Sequence, residues 1–138
     1  MRILAVCLAW LASLLPHHGH HGHAQRVRAS QFGPFGSDPR AGKTFACARF
    51  HVGPRARALV EAGMIFADRG SKCGTIARVC SEKSGRCADA ARWDAGPWGR
   101  THDGFRYGLD LWHVLARRIG HDGHCVSLTT YPEGAPTP

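Results

Sequence analysis

The chain has 138 residues, 43% of them hydrophobic and 20% charged, with 17 glycines and 8 prolines. That composition describes one turn-rich globular domain of ordinary size and excludes a long coiled coil or a wholly disordered protein. The formal net charge of +8 favours acidic partners (nucleic acid, anionic lipid or an anionic wall polymer) without choosing among them.

In chain order, Arg2 precedes the apolar run Ile3 to Leu15, too short to span a bilayer comfortably and suited to a secretory h-region. Gly22-His23-Ala24 supplies small residues at −3 and −1 of a cleavage site. Residues 1–24 are therefore expected to be a signal peptide, with Gln25 as the mature N-terminus. Lipidation of Cys7 is not expected, because Val6 is large for the preceding position and the apolar run before it is short. The tract His17-His18-Gly19-His20-His21-Gly22-His23 has imidazoles suited to Zn, Cu or Ni but no fixed geometry, and cleavage would remove it. No metal is assigned.

Arg26 to Phe32 reads as a first strand, followed by a breaker-rich loop from Gly33 to Pro39. Thr44 to Phe50 reads as a second short extended piece. Pro54 to Ala62 has Pro near a helix start and Gly63 as a stop, which predicts a short helix. Met64 to Ala67 returns to strand. Gly74 to Cys80 alternates as a half-buried strand does, with Arg86 to Asp94 as its hairpin partner. Asp110 is placed as the cap of a helix over Leu111 to Ile119, in which Leu111, Val114, Leu115 and Ile119 share a face and Gly120 is the stop. Val126 to Thr130 supplies a last strand, and residues 132–138 read as a disordered tail. Many short strands with small helices indicate a compact β-barrel.

Cys47, Cys73, Cys80, Cys87 and Cys125 follow the expected cleavage point and contain no CxxC pair, so disulfides in an oxidising compartment are favoured over metal ligation. A Cys80–Cys87 bridge across a hairpin mouth is the first choice and Cys47–Cys73 the second, leaving Cys125 free or intermolecular.

The chemistry concentrates in Asp94-Ala95-Gly96-Pro97-Trp98-Gly99-Arg100, followed by Gly108-Leu109-Asp110-Leu111. An acid at a strand end before a Gly-Pro turn, beside an aromatic ring, suits a sugar-binding cleft in which a partly desolvated carboxyl donates a proton. The competing reading is that Asp94 accepts hydrogen bonds from turn amides. Trp98 either stacks on a sugar or packs on the barrel, while Trp93 and Trp112 read as core. Arg100 either contacts carboxylates or phosphates or is solvated surface, and Asp110 reads as a cap or turn acceptor. His102, His113, His121 and His124 lack helical ligand spacing.

These motifs carry a resemblance. Gly74-Thr75-x-x-Arg78-Val79, Asp94-x-Gly96-Pro97, Asp110-Leu111, and Ala116 with Ile119-Gly120 resemble the rare lipoprotein A (RlpA)-like domain across roughly Arg26 to Leu128. Phe45-Ala46-Cys47 and Lys72-Cys73-Gly74-Thr75 resemble two further segments of that family. The resemblance implies a mainly β, six-stranded double-psi β-barrel with one or two short helices over residues 25–131, related to barwin and expansin domains. It also implies a wall polysaccharide such as peptidoglycan as substrate, cleaved as lytic transglycosylases do. The family's Asp-Arg-Gly-Pro reads Asp94-Ala95-Gly96-Pro97 here, its Ala-His pair falls on Ala67-Asp68, and its Glu falls near Arg49 or in a gap. Asp94 alone stands at a matched catalytic position, and residues 101–107 read as an insertion.

A lone acid suffices where the substrate's own C6 hydroxyl attacks the anomeric carbon, and Asp68, facing Asp94 across a cleft, would raise its pKa by repulsion. Asp94 is thus the expected acid/base, with Trp98, Arg100, Asp68 and Asp110 as substrate-binding residues. The alternative is a non-catalytic, expansin-like wall-binding module. We expect a secreted or periplasmic monomer without cofactor, without a nucleic-acid partner and without stable membrane insertion after cleavage; export and the lack of clustered Lys/Arg with stacking aromatics argue against nucleic acid.

Overall fold

The computed structural model describes residues 24–33, 45–97, 108–123 and 125–132. Its elements are β1 (Ala24–Phe32), α1 (Pro54–Glu61), β2 (Ile65–Asp68), β3 (Ile76–Ser81), β4 (Cys87–Ala95), β5 (Leu109–Trp112), α2 (His113–Ile119) and β6 (Cys125–Thr130). The strands close into a barrel in the order β1-β5-β2-β4-β3-β6. Closure gives every strand two neighbours and removes the unpaired edges of an open sheet. The pairs β1·β5 and β2·β4 are parallel, and the other four are antiparallel. Exchanging β1 with β4, β2 with β5 and β3 with β6 reproduces every pairing, so two three-stranded halves interlock about a pseudo-two-fold axis in the expected double-psi arrangement.

Alternation along the strands decides what fills the barrel. Ala29, Phe66, Ala77, Val79, Ala90, Leu109, Leu111, Val126 and Leu128 are buried together, and α2 adds Leu115, Ala116 and Ile119 to the same cluster. A second cluster covers part of the barrel's outer face: Cys47, Val52 and Ala56 pack against Ile65, Ala91 and Trp93. Both helices stop where the sequence indicates, α1 just before Gly63 at φ 74° and α2 at Gly120 in the left-handed conformation.

Two of the expected elements change places. Residues 44–50 do not form a strand over their described part; the amides of Ala48 and Phe50 donate to the carbonyls of Phe45 and Cys47, which makes consecutive turns. The sixth strand is instead β5, which pairs with β1 and β2. Asp110 is consequently a strand residue and caps nothing. The residue preceding α2 is Trp112, and among the described residues no side chain caps that helix.

Both expected disulfides form, Cys47–Cys73 and Cys80–Cys87. Cys125, expected to be left over, is itself disulfide-bonded. This bonding fits an oxidising environment. Among the described residues no helix is long and apolar enough to cross a membrane.

The loops closed by the two bridges differ in length, with separations of 26 and 7 residues. Chain entropy then assigns roughly 3 to 4 kcal/mol to Cys47–Cys73 and roughly 2 to 3 kcal/mol to Cys80–Cys87. Paired Cys→Ala variants compared by urea unfolding should show the larger loss for Cys47/Cys73, with the cavity left by the fully buried Cys47 adding to it.

Candidate functional site

A single row of side chains crosses four strands of the barrel. Asp94 of β4 sits opposite Ala67 of β2, Ala67 opposite Asp110 of β5, and Asp110 opposite Ser30 of β1. Laterally aligned residues of paired strands point to the same face. Their neighbours Ala29, Phe66, Leu109 and Leu111 fill the barrel, so this row faces outward.

Asp94 joins the row through a bulge. The register pairs Ile65 with Ala91 and Phe66 with Arg92, then shifts so that Ala67 meets Asp94, leaving one extra residue on β4. Without the shift, Ala67 would face Trp93 and the Asp94 side chain would point to the barrel interior. The bulge keeps Trp93 packed in the outer cluster and still brings the next residue out on the same side.

The two carboxylates of the row are held differently. Asp94 Oδ1 accepts hydrogen bonds from the amides of Ala46 and Ala95, each at 2.9 Å. The turn-acceptor role anticipated for Asp94 is therefore present, with one donor local and the other from the segment that covers the outer face. Asp110 Oδ1 accepts from the Ser30 hydroxyl at 2.8 Å. Burial pushes the Asp110 carboxyl up to about 6; the Ser30 hydrogen bond opposes this, and the charge of Asp94 adds to it.

Aromatic rings flank the row. Phe32 and Trp112 are register partners two residues beyond Ser30 and Asp110, and so share the outward face. Their rings and that of Phe45 meet edge to face, with centroids 5.1 to 6.5 Å apart. Trp112, read from the sequence as core, is half-buried at the border of the outer cluster, whereas Trp93 is buried within it.

Asp68 does not face Asp94. It follows Ala67, the row partner of Asp94, and alternation sends its side chain to the other face. Its carboxylate accepts from the Ser71 amide at 3.0 Å and from the Ser71 hydroxyl, and lies 3.3 Å from Arg92 Nε in a largely buried ion pair. Arg92 also donates to the Asp68 carbonyl through Nη2. Asp68 lines a different cavity, about 430 Å³ in volume, with Gln25 and Thr130 at one mouth of the barrel. The carboxyl on which the charge of Asp94 acts is that of Asp110.

Trp98, Arg100, His102, His124 and the segment 101–107 lie outside the described residues. The Gly96–Pro97 peptide that precedes them is cis. Ser30 and the Ala46 amide were missed in the sequence; the alternation Leu109-Asp110-Leu111-Trp112 was the available signal that Asp110 is a strand residue seeking a lateral partner. Among the described residues no group of three or more His, Cys, Asp or Glu is placed to hold a metal ion. The row can accept hydrogen bonds from hydroxyl-rich ligands, and Asp110 can exchange a proton near neutral pH. In comparisons with known proteins, no family model matches the chain and no curated protein matches it.

A carboxyl that binds its proton more tightly when folded stabilises the fold below its unfolded pKa, and that contribution is lost as pH rises through about 6. The interval from 3.8 to about 6 corresponds to about 3 kcal/mol. Asp110→Asn, which keeps an acceptor for Ser30, should therefore be more stable than wild type at pH 7 by up to about 3 kcal/mol and equal to it near pH 3.5, as read by urea unfolding at the two pH values. Ser30→Ala should raise the Asp110 pKa further, because it removes the hydrogen bond that favours the ionised form; carboxyl-carbon NMR titration measures this directly.

Proposed function

We propose that this protein acts in an oxidising cell-envelope or extracellular compartment on the glycan strands of a wall polysaccharide such as peptidoglycan. The cleavage is of the lytic-transglycosylase type, with Asp94 as acid/base. The observation that carries this reading is the outward row in which Asp94 and Asp110 share one face beside the rings of Phe32, Phe45 and Trp112. Aromatic edges and faces suit sugar rings, and carboxyl groups suit their hydroxyls. The resemblance of Asp94-x-Gly96-Pro97 and Asp110-Leu111 to the RlpA-like pattern points to the same substrate class.

In this reaction a carboxylic acid protonates the glycosidic oxygen as the bond from the anomeric carbon breaks. The substrate's C6 hydroxyl then bonds to that carbon and gives its proton back to the carboxylate, which leaves a 1,6-anhydro sugar and no net change in the protein. No second carboxylate is needed as nucleophile, unlike the common hydrolase scheme. Asp110, not Asp68, shares the row with Asp94: with a pKa of about 6 it is partly protonated in mildly acid medium, which limits repulsion within the row.

One observation favours the second reading, a wall-binding module without chemistry. Asp94 Oδ1 is already engaged by two amides, a role that organises the loop whether or not the carboxylate reacts. The basic charge of the chain would then supply affinity for an anionic wall polymer.

Mass spectrometry of peptidoglycan incubated with the purified protein separates the readings. The enzyme should release 1,6-anhydro-muropeptides, and Asp94→Asn should bind the polymer yet release none. If neither protein yields such products and both co-sediment with the polymer, with affinity that falls as salt rises, the protein is the binding module.

A further inference from the structure

We propose that a second cavity, sharing no residue with the Asp94 row, is a binding site for a phosphate group. It is about 400 Å³ in volume and opens between the start of α1, residues 72–76 and Tyr131. His51, Arg55 and Lys72 line it together with the hydroxyl-bearing Thr75, and among the described residues no acidic side chain does. Among the described residues neither His51 nor Lys72 is paired with an acid. Arg55 is paired with Asp89, so the charge in this concavity that no described acid neutralises is that of Lys72, which leaves a positive potential there for a ligand to neutralise.

Arg55, Cys73 and Gly74 of the lining are held in place before any ligand arrives. Arg55 Nη2 donates to Asp89 Oδ2 at 3.0 Å, and the guanidinium carbon lies 5.9 Å from the centre of the Tyr131 ring. The Cys47–Cys73 bridge ties one wall to the segment bearing Val52. Gly74, at φ +80°, lies so close to Val52 that a Cβ added there would come within 2.8 Å of Val52 Cγ1. The lysine is a compact point charge with three donors, well suited to a tetrahedral oxyanion, and the imidazole and hydroxyl are further donors among the lining residues. A dianionic phosphate uses this set more fully than a carboxylate, which brings one charge and two oxygens in a plane.

The inference does not depend on glycan cleavage, and its test involves no glycan. Inorganic phosphate and acetate are titrated at constant ionic strength into the ¹⁵N-labelled protein, into the double variant His51→Gln/Lys72→Gln and into Lys83→Gln, which removes one charge elsewhere. Phosphate should give saturable amide shifts centred on residues 51–56 and 72–76, weakened at least about fivefold in the double variant and unchanged in Lys83→Gln. Acetate should bind more weakly. Shifts that never saturate, or that saturate equally in the double variant, would overturn the site; acetate binding as tightly as phosphate would overturn the choice of ligand.

Discussion

The register shift between β2 and β4 is the constraint on which the candidate site depends. Strand alternation allows each residue only one face, and β4 must present Trp93 to the outer cluster and Asp94 to the outer row in immediate succession. A regular strand cannot do both. One additional residue on β4, absorbed beside the Phe66–Ala67 step, lets a large buried ring and an acceptor carboxylate emerge on the same side. The neighbouring segment follows from this placement: the Cys47 amide donates to the Trp93 carbonyl and the Ala46 amide to Asp94, so the turn at residues 45–50 is docked on the bulge from both sides of the chain.

The three acids near this end of the barrel illustrate how position in the pleat outweighs proximity in sequence. Asp94 and Asp110 are separated by one narrow residue, Ala67, and share solvent and field. Asp68 adjoins Ala67 in the chain yet faces Arg92 and Ser71 across the sheet. A buried ion pair of this kind contributes little net stability once desolvation is counted, but loss of either partner leaves a charge stranded in a poor solvent. Arg92 holds Asp68 on the other face and leaves Asp110 as the carboxyl that shares the row with Asp94.

Much of this architecture was legible in the chain and some of it was not, for identifiable reasons. The hairpin Cys80–Cys87, the start of α1 at Pro54 and the stop at Gly120 are local signals, and local geometry honoured them. Residues 109–112 were harder, because four alternating residues run directly into a helix whose apolar spacing absorbs Leu111; what makes them a strand is pairing with β1, eighty residues earlier. The reverse error at residues 44–50 has the same origin. Phe45-Ala46-Cys47 has strand-like composition, but its hydrogen bonds close locally and onto Trp93 and Asp94, and Cys47 is tied to Cys73. The place of Asp94 in the row was hidden for a further reason, since it depends on a bulge that no local pattern announces.

The pseudo-two-fold axis relates Ser30 to Asp94 and Ala67 to Asp110, so the row lies across the axis itself. The amino-terminal half contributes the two small residues, Ser30 and Ala67, and the carboxy-terminal half contributes both acids. In space the contributions alternate, acid, small, acid, small. The acids therefore acquire their spacing only from a strand that belongs to the other half, and neither half carries a reduced version of the site. Most of the barrel's pairings also join residues distant in sequence, so ordering demands loop closures that local structure cannot reward in advance. A chain in which any of β1, β5, β2 and β4 is out of register therefore carries no complete row.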